Sequence, residues 1–555
     1  MLLDKIKQQI SQEINKLLGQ DLIEPQALVY PPDSQQGDLC LPCFGLSKTL
    51  GQTPVAMAQL LAAKFNRPDL TATASGPYLN ISLSGQLLTQ VLPEIDDQYG
   101  INTLGQGQKV MIEYSNVNTH KEYHIGHLRN ITFGDSIDRL LLSCGYEAIP
   151  VTYVNDFGIH VAKTLWAYRP EDLQPGVDKG YFLGKTYVAA TKKIEGNKAN
   201  QAEVSQIMKN IESRQGQDYE LWQETRQWSL DYFQSIYQKL QIKFERSYYE
   251  SQYLEAGLQL VKELLAKGVL KESQGAIIAD LEKYNLGVLV IIRSDGTALY
   301  PVADLALAQA KFKEKISRSI YIVDNRQTLY FQQLFKVLEL MGYQADMVHL
   351  TYDFVKLPSG MMSSRTGNTV PFQDLYDQVW QKLTQETKSR HEDWSDQAIE
   401  EVVKLLTISV LKFEMIKVSP NKIITFDINE ALRFDGYTAV YLQYAVARIN
   451  SILRQEQATG KIDYSQLQHD QEKQLLLALA KYPDLLIRAT QAYEPSAMAK
   501  YLFDLARLFN DYYHEVPVLQ AELAIKQARL ALLVGIRQVL QNGLEVLGIA
   551  IVEQM

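Results

Sequence analysis

The sequence predicts a multidomain α/β protein whose central domain is built on a parallel sheet. An apolar run, VMIEY (110–114), is followed by a polar loop, helix signals over about 126–144 and a second apolar run, AIPVTYV (148–154). Gly145 stands where a left-handed C-terminal cap would end the helix. A strand, a helix and a strand in this order are the start of a Rossmann-like half of a doubly wound sheet. From about residue 375 the pattern is nearly all helical, which predicts a separate all-α domain.

The chain is long enough for three or four domains, because its 555 residues are shared among units of ~150 residues. A first helix, a further helical run and the strand-like YLNISLS predict a small N-terminal α/β domain, closed by a linker rich in Gly, Asn and Gln. A long, charged and mostly helical stretch, about 165–285, is interpreted as an insertion that interrupts the sheet, which is expected to resume with GVLVIIR (287–293). The predicted domains are 1–105, N-terminal α/β; 106–375, parallel sheet with the insertion; 376–433, helical connector; and 434–555, all-α.

Composition excludes several classes of protein. No stretch approaches the ~18 uninterrupted apolar residues that a membrane span needs, and the N-terminus is an amphipathic helix rather than a signal peptide. Three cysteines are too few for a disulfide scaffold and predict a cytoplasmic protein; Cys40 and Cys43 are interpreted as small buried residues, because no second pair follows. The net charge of −9 neither favours nor forbids nucleic-acid binding, which depends on a local basic surface.

The segment His124-Ile125-Gly126-His127 stands where the first predicted strand has ended and the helix begins. Ligands of doubly wound sheets bind at the carboxyl ends of strands, and phosphates favour helix N-termini. Two imidazoles at i and i+3 would point into that crevice, and Gly126 would let a nucleotide approach the backbone. A zinc site is the first alternative, but no third ligand follows at suitable spacing, and no structural metal is expected. The second alternative is a chance pair of histidines at a solvated helix start.

A second element, Met361-Met362-Ser363-Ser364-Arg365-Thr366-Gly367-Asn368, follows the last predicted sheet strand. It is rich in small and hydroxyl-bearing residues, so its backbone N–H groups and hydroxyls could wrap a polyphosphate. Alone, such a segment is an ordinary surface loop in most proteins.

Together the two elements resemble the double signature of class I aminoacyl-tRNA synthetases, HIGH followed by a KMSKS-like loop, and their flanks resemble the arginyl-tRNA synthetase family from end to end. The resemblance implies an N-terminal domain that binds the tRNA corner, a catalytic domain and a C-terminal anticodon-binding domain. The segments that carry it are Glu113 to Asn130 around HIGH, Gly134-Asp135, Asn155-Asp156-Phe157-Gly158, Glu250-Ser251-Gln252-Tyr253, Tyr300 to Asp304, Gln327 and YLQYAVARINSIL (441–453).

The resemblance also implies substrates and site residues. A planar, always charged guanidinium requires several acceptors in one plane, and carboxylates would hold it through charge-assisted bonds of about 1.5–3 kcal/mol each. Two further positions are expected near the α-amino and carboxylate ends of arginine, in an order that stays open: Asn118 and Gln327. Tyr300 and Asp304 would also fit a strand end followed by a helix cap. The family's arginine-binding positions correspond to Glu113, Asn118, Tyr300, Asp304 and Gln327.

The implied reaction has two steps. The carboxylate of arginine attacks the α-phosphorus of ATP and expels pyrophosphate, and a ribose hydroxyl of the terminal adenosine of tRNA(Arg) then attacks the adenylate. His124 and His127 are expected to stabilise phosphate charge, and Mg²⁺ is expected to arrive with ATP. The expected ATP-binding residues are His124, Gly126, His127, Met362, Ser363, Ser364 and Arg365.

The signature loop departs from the family pattern, because Met361 and Ser364 stand where KMSKS has lysines. Lys121, three residues before His124, could supply the missing charge as a third catalytic residue; the alternative is a solvated loop lysine. His160 stands where relatives often have Gln, and no role is predicted for it.

The sequence gives less information about which residues contact tRNA. Tyr441, Tyr444 and Arg448 are weak candidates for gripping unpaired bases, since arginine and aromatic side chains stack on them; such aromatics could equally belong to a helical core. A monomer is expected.

Three other functions remain as alternatives to an arginyl-tRNA synthetase. They are another class I synthetase, a smaller HIGH-bearing nucleotidyltransferase, and a non-catalytic tRNA-binding paralogue with a decayed signature loop.

Overall fold

The computed structural model describes residues 1–344, 346–358 and 370–555. The N-terminal part is a small α/β layer, in which α3 packs against a three-stranded antiparallel sheet of order β1-β3-β2 and α1 contacts α3. Helix α1 buries Leu3, Ile6, Ile10 and Ile14, spaced three or four residues apart on one face, and ends at Gly19 in a left-handed conformation. Its elements are α1 (Leu2–Leu18), β1 (Leu39–Pro42), α2 (Phe44–Leu50), α3 (Pro54–Lys64), β2 (Leu70–Ser75), β3 (Tyr78–Leu83) and α4 (Gly85–Leu88).

The central part alternates strands and helices. Its elements are, in chain order, β4 (Lys109–Glu113), β5 (Val117–Asn118), α5 (Ile125–Ser143), β6 (Glu147–Asn155), α6 (Ile159–Ala167), α7 (Lys179–Ile194), α8 (Lys198–Glu212), α9 (Gln217–Lys239), β7 (Arg246–Tyr249), α10 (Glu250–Ala266), β8 (Lys271–Ser273), β9 (Ala276–Asp280), β10 (Val288–Ile292), α11 (Tyr300–Phe312), β11 (Arg318–Asp324), α12 (Thr328–Leu340), β12 (Asp346–Tyr352) and β13 (Val355–Lys356).

A parallel sheet lies at the centre of this part, in the order β12-β11-β4-β6, with β5 and β7 both paired to β6. Val110, Met111 and Ile112 of β4 are all buried, as expected of a strand covered by helices on both faces. The predicted α/β fold class with a parallel sheet is therefore confirmed. The carboxyl ends of β4, β6 and β11 meet at one edge, and this edge carries the site described below.

Helix α5 runs from the HIGH segment away from this edge. It ends as predicted at Gly145, whose φ is +76°, and the N–H of Tyr146 donates to the carbonyl of Leu141 at 3.1 Å. A Cβ at Gly145 would lie 2.7 Å from the carbonyl oxygen of Asn102. Only glycine therefore fits at this turn.

Two expectations about strands are wrong. The segment GVLVIIR does not resume the parallel sheet: β10 lies in a separate antiparallel sheet of order β10-β9-β8. Its apolar run resembled a fully buried strand, but Val288 is exposed and alternate side chains are only half-buried. Strand β7, RSYY (246–249), pairs with β6 in the parallel sheet, although it lies inside the predicted helical insertion. The sequence did not predict this strand, because its residues are polar and aromatic and show no apolar run.

Residues 370–555 are mostly helical, and their strand β14 pairs with β13. Helix α14 contacts α5, and α16 to α19 form a bundle. The buried Lys412 ties this bundle to α5, since its ammonium contacts the carboxylate of Asp135 at 3.0 Å and donates to the carbonyl of Gly548 at 2.8 Å. The elements are α13 (Phe372–Arg390), α14 (Asp396–Ile416), β14 (Ile424–Thr425), α15 (Ile428–Ala431), α16 (Ala439–Gln455), α17 (Asp470–Ala492), α18 (Pro495–Glu515) and α19 (Leu523–Val546).

No helix within the described residues is both long and apolar enough to cross a membrane. Cys40, Cys43 and Cys144 carry free thiols, and all three are buried.

Candidate active site

A cavity of about 1080 Å³ opens at the carboxyl ends of β4, β6 and β11. It brings together three separate stretches of the sequence, 113–127, 300–304 and 327. These contain all the predicted arginine-binding residues, the predicted catalytic residues and the described part of the predicted ATP-binding set. The predicted residues that line it are Glu113, Asn118, Lys121, His124, Gly126, His127, Tyr300, Asp304 and Gln327. The four predicted ATP-binding residues that lie outside the described residues are Met362, Ser363, Ser364 and Arg365.

The two histidines of the HIGH segment cap the helix that follows them. His124 is the N-cap of α5, and its Nδ1 accepts the backbone N–H of Gly126 at 3.1 Å. The Nδ1 of His127 in turn accepts the backbone N–H of His124 at 3.2 Å. Because an accepting nitrogen carries no proton, the neutral form of each ring is protonated on Nε2. Each ring therefore offers one N–H donor to a ligand.

The surroundings of both rings favour the neutral form. Burial, followed by the positive charge of Lys121, lowers the pKa of His124 to about 4. Burial, His124 and Lys121 also hold the pKa of His127 well below its usual range. The expectation that these histidines stabilise phosphate charge stays a prediction, but they would do so as neutral hydrogen-bond donors rather than as cations.

The glycine between them leaves room for the ring of His124. A Cβ on Gly126 would lie 3.0 Å from Cε1 and 3.1 Å from Nδ1 of that ring. The segment is also fixed from outside: Ile125 donates its N–H to the carbonyl of Val370 at 3.1 Å, and Phe372 donates to the carbonyl of Tyr123 at 2.7 Å. The chain that follows the signature loop is thus bonded directly to the HIGH segment.

Glu113 is held in a buried ion pair. One oxygen of its carboxylate contacts the ammonium of Lys311 on α11, and the other accepts the side-chain N–H of Asn116 at 3.3 Å. Lys311 is fully buried, with its ammonium 4.4 Å from the ring centroid of Tyr321. The negative charge of Glu113 is therefore already balanced within the protein.

Helix α11 carries the two other predicted acceptors, one turn apart. Tyr300 begins the helix and exposes 67% of its surface, whereas Asp304 accepts the hydroxyl of Tyr330. Removal from water, opposed by that hydrogen bond and reinforced by the charge of Glu113, raises the pKa of Asp304 to about 6. Asp304 thus has no cation of the protein bonded to it within the described residues.

A further carboxylate, Glu250, was not among the predicted site residues. It begins α10 directly after β7, and its Oε2 accepts the side-chain N–H of Asn155 at 3.1 Å. Burial, opposed by that bond and reinforced by the charges of Asp304 and Asp156, raises the pKa of Glu250 to about 7. Its position in the Glu250-Ser-Gln-Tyr segment was the available signal, but only the pairing of β7 with β6 places it beside Asp304.

Asp156 fixes the start of α10. Its buried carboxylate accepts the Nε–H of Arg226 at 2.5 Å and both the backbone N–H and the hydroxyl of Ser251, at 2.9 and 2.8 Å. It is therefore a structural residue that holds Glu250 beside Asn155, which lines the cavity.

The loop between β5 and α5 presents Lys121 to the cavity, with its ammonium 5.2 Å from the ring centroid of Tyr187 on α7. The preceding residue, His120, is buried at φ +61°, an unusual conformation for a residue with a side chain. Its Nε2 is bonded to the hydroxyl of Thr225 at 2.8 Å, and its backbone N–H donates to Ser229 at 3.0 Å. Helix α9 thus fixes the loop that carries Lys121.

Comparison with known proteins agrees with this geometry in all three parts of the chain. Residues 88–428 match the family described as "tRNA synthetases class I (R), catalytic domain". Residues 442–555 match the "DALR anticodon binding domain", and residues 4–83 match the "Arginyl tRNA synthetase N terminal domain". The chain belongs to the arginyl-tRNA synthetase family.

Relatives cover the whole chain. The arginine–tRNA ligase of Bdellovibrio bacteriovorus is 40% identical over an alignment of 548 residues, and the match covers 96% of this chain and 94% of that protein. The arginine–tRNA ligase of Clostridium botulinum is 33% identical over 100% of this chain and 99% of its own. The structure of Thermus thermophilus arginyl-tRNA synthetase superposes with a TM-score of 0.84 at 28% identity, covering 100% of both chains. This class I enzyme therefore ligates arginine to tRNA(Arg) at the expense of ATP.

In this arginyl-tRNA synthetase the three weak tRNA candidates lie on α16, away from the catalytic cavity. Arg448 donates to the hydroxyl of Tyr444 at 2.9 Å and to the side chain of Asn510 at 3.0 Å, and lies over the ring of Tyr513. Tyr441 packs instead against Phe503, with ring centroids 5.2 Å apart.

Tyr444 also lines a separate cavity of about 220 Å³ between α13 and α16. Arg390 lies 4.0 Å above the ring of Phe434 at its wall. The other residues that line it include Leu383, Glu386, His391, Leu406 and Met555.

Proposed function

We propose that the guanidinium of arginine binds between Asp304 and Glu250, beside Tyr300. The observation that carries this proposal is the pair of half-buried carboxyl groups of Asp304 and Glu250, neither of which forms an ion pair within the described residues; the charge of Asp304 raises the pKa of Glu250. A cation between them relieves both the loss of hydration and the mutual repulsion. Arginine meets this need with a planar group that donates to several acceptors at once.

Glu113 has a different role in this proposal. Because Lys311 already balances its charge, it contributes a fixed acceptor rather than a free negative charge. Asn118 and Gln327 line the same cavity, and we assign them to the α-amino and carboxylate ends of the substrate. This arrangement orients the carboxylate of arginine towards the HIGH segment.

We propose that His124 and His127 donate their Nε2–H groups to the phosphates of ATP at the N-terminus of α5. The arginine carboxylate displaces pyrophosphate from the α-phosphorus, and the 2′-hydroxyl of the terminal adenosine then displaces AMP from the adenylate. Catalysis consists of positioning and of donors that are already oriented, so no covalent enzyme intermediate is needed. Mg²⁺ arrives as part of the substrate ATP.

Lys121 supplies a positive charge that the signature loop lacks. Its charge reaches both histidines of the HIGH segment, because it lowers the pKa of each. Met361 and Ser364, where the signature has lysines, cannot provide it.

We assign the anticodon contact to the half-buried Tyr444 and Arg448, beside the 220 Å³ cavity, since arginine and aromatic groups stack on unpaired bases. We further propose that the enzyme acts as a monomer in the cytoplasm, where its three free thiols stay reduced.

The test is pyrophosphate exchange into ATP, measured with each of the twenty amino acids in the presence and absence of tRNA. The proteins compared are the wild type, Lys121→Ala and a control, Lys193→Ala, whose residue lies on the exposed side of α7. We expect exchange with arginine alone, only when tRNA is present, and reduced by Lys121→Ala but not by Lys193→Ala. Full exchange in Lys121→Ala would discard Lys121 as the replacement charge. Exchange that is unchanged in Asp304→Asn would refute the guanidinium site.

A further inference from the structure

Lys163 lies in the second turn of α6 and lines the catalytic cavity with Lys121, Asn155 and Tyr187. Helix α6 begins directly after the carboxyl end of β6, so it rises from the same edge of the sheet as the HIGH helix.

Lys163 differs from the other cations of the cavity in what it contacts. Lys311 is paired with Glu113, and Arg326 is paired with Asp324 at 2.9 Å. Lys163 has no hydrogen bond, ion pair or ring contact with any residue in 1–344, 346–358 or 370–555. A half-buried ammonium without an acceptor is well placed to bind an anion.

His160 connects Lys163 with Lys121. It lies one turn before Lys163 on α6, and burial, Lys121, His120 and Lys163 all lower its pKa well below the usual range. Its Nε2 lies 3.3 Å from the carbonyl oxygen of Asn155. Two ammonium groups therefore act on one neutral ring, and both line the cavity.

We propose that Lys163 binds phosphate oxygens of a substrate and forms with Lys121 a two-lysine anion site, which replaces the two lysines absent at Met361 and Ser364. The proposal rests on the proposed function, in which the cavity holds ATP and the acceptor end of tRNA. The phosphate belongs either to the triphosphate of ATP or to the phosphodiesters next to the terminal adenosine. An anion between the two ammonium groups offsets their repulsion and gains charge-assisted hydrogen bonds from both.

The variants are Lys163→Met, which keeps the length and apolar stem of the side chain, and Lys163→Arg, which keeps the charge. Lys193→Met is the matched control, because Lys193 is an exposed lysine on α7. Three constants are measured in each: KM for ATP and KM for pyrophosphate in tRNA-dependent, arginine-specific exchange, and Kd for tRNA(Arg) without ATP. Thermal midpoint and Kd for arginine report whether the fold and the amino-acid site are intact.

We expect Lys163→Met to weaken the binding of one of the two phosphate-bearing substrates about 10- to 100-fold, the loss expected of one charge-assisted hydrogen bond. Binding should recover substantially in Lys163→Arg and should not change in Lys193→Met. Higher KM values for ATP and pyrophosphate assign Lys163 to the triphosphate. A higher Kd for tRNA alone assigns it to the acceptor end.

Unchanged constants in Lys163→Met, in an enzyme whose wild type exchanges with arginine, would overturn this inference and leave the proposed function standing. Loss of arginine binding or a fall in thermal midpoint without recovery in Lys163→Arg would also overturn it, by assigning Lys163 a structural role. Absence of exchange in the wild type would instead refute the proposed function.

Discussion

The rings of His124 and His127 are stacked, with their centroids 3.8 Å apart and their planes inclined by 21°. Each ring uses Nδ1 to accept a backbone N–H at the start of α5. The pair therefore serves two purposes: it caps the helix, and it fixes two Nε2–H donors in the cavity. Substitutions can separate these purposes.

His124→Asn is expected to keep the cap and lose the donor, because an asparagine oxygen is a preferred N-cap acceptor. The rate of adenylate formation should fall by about 10²–10³, the usual loss for one oriented donor in a transition state. The thermal midpoint should stay near that of the wild type. His124→Ala, which removes both functions, should lose about 1 kcal/mol of stability in addition. Single-turnover exchange and urea unfolding measure the two effects, and equal stability losses in both variants would contradict the division of roles.

Gly126→Ala is expected to displace the ring of His124, since the new Cβ would lie 3.0 Å from its Cε1. We expect kcat for exchange to fall while Kd for arginine stays constant, because the amino-acid site lies elsewhere in the cavity. Gly45→Ala in α2 is the control, as a Cβ there meets nothing within 4 Å. A Gly126→Ala enzyme with normal kcat would show that this close approach is unimportant.

Lys311→Met should destabilise the protein by about 3–5 kcal/mol, because it leaves the carboxylate of Glu113 buried without its partner. The double variant Glu113→Gln, Lys311→Met should recover most of that loss, since no charge then remains unpaired. Urea unfolding of the two single variants and the double variant gives the coupling energy. A double variant as unstable as the sum of the single variants would refute the buried pair as the cause.

Arginine affinity should decrease as the pH falls through 7 and 6, because Glu250 and Asp304 bind the guanidinium only when ionised and have pKa values of about 7 and about 6. Calorimetric Kd values between pH 5 and 8 test this, with Glu250→Gln expected to remove the upper transition. Both pKa values lie above those of the unfolded chain, so the folded state binds these protons more tightly. The unfolding free energy of the arginine-free enzyme should therefore decrease as the pH rises from about 4 to about 7. A pH-independent Kd would contradict the assignment.

Arg448→Ala should weaken tRNA(Arg) binding about tenfold, within the range for loss of one stacking contact, and leave KM for ATP unchanged. Tyr444→Phe, which removes the hydroxyl that accepts from Arg448, should have a smaller effect. Arg507→Ala on α18 is the control, because Arg507 is an exposed arginine whose ion pair is with Asp504. A filter-binding Kd that does not change in Arg448→Ala would remove α16 from the tRNA surface.

The sequence by itself determined the parallel sheet, the helical C-terminal part, the HIGH segment and the family. Local patterns are enough to predict these features: apolar runs of strand length, 3.6-residue periodicity and a motif whose residues are adjacent in the sequence. Even Gly145 could be predicted, since a left-handed helix end depends on a few neighbouring residues.

Only the tertiary structure decided which charges are free. Glu113 and Asp304 are both acidic, but Lys311, nearly two hundred residues from Glu113 in the sequence, forms its ion pair with Glu113. Glu250 lies next to Asn155 and Asp304 because RSYY (246–249) joins the parallel sheet. GVLVIIR (287–293) instead forms part of another sheet. Long-range strand pairing and burial set these outcomes, and neither is encoded in a local window of sequence.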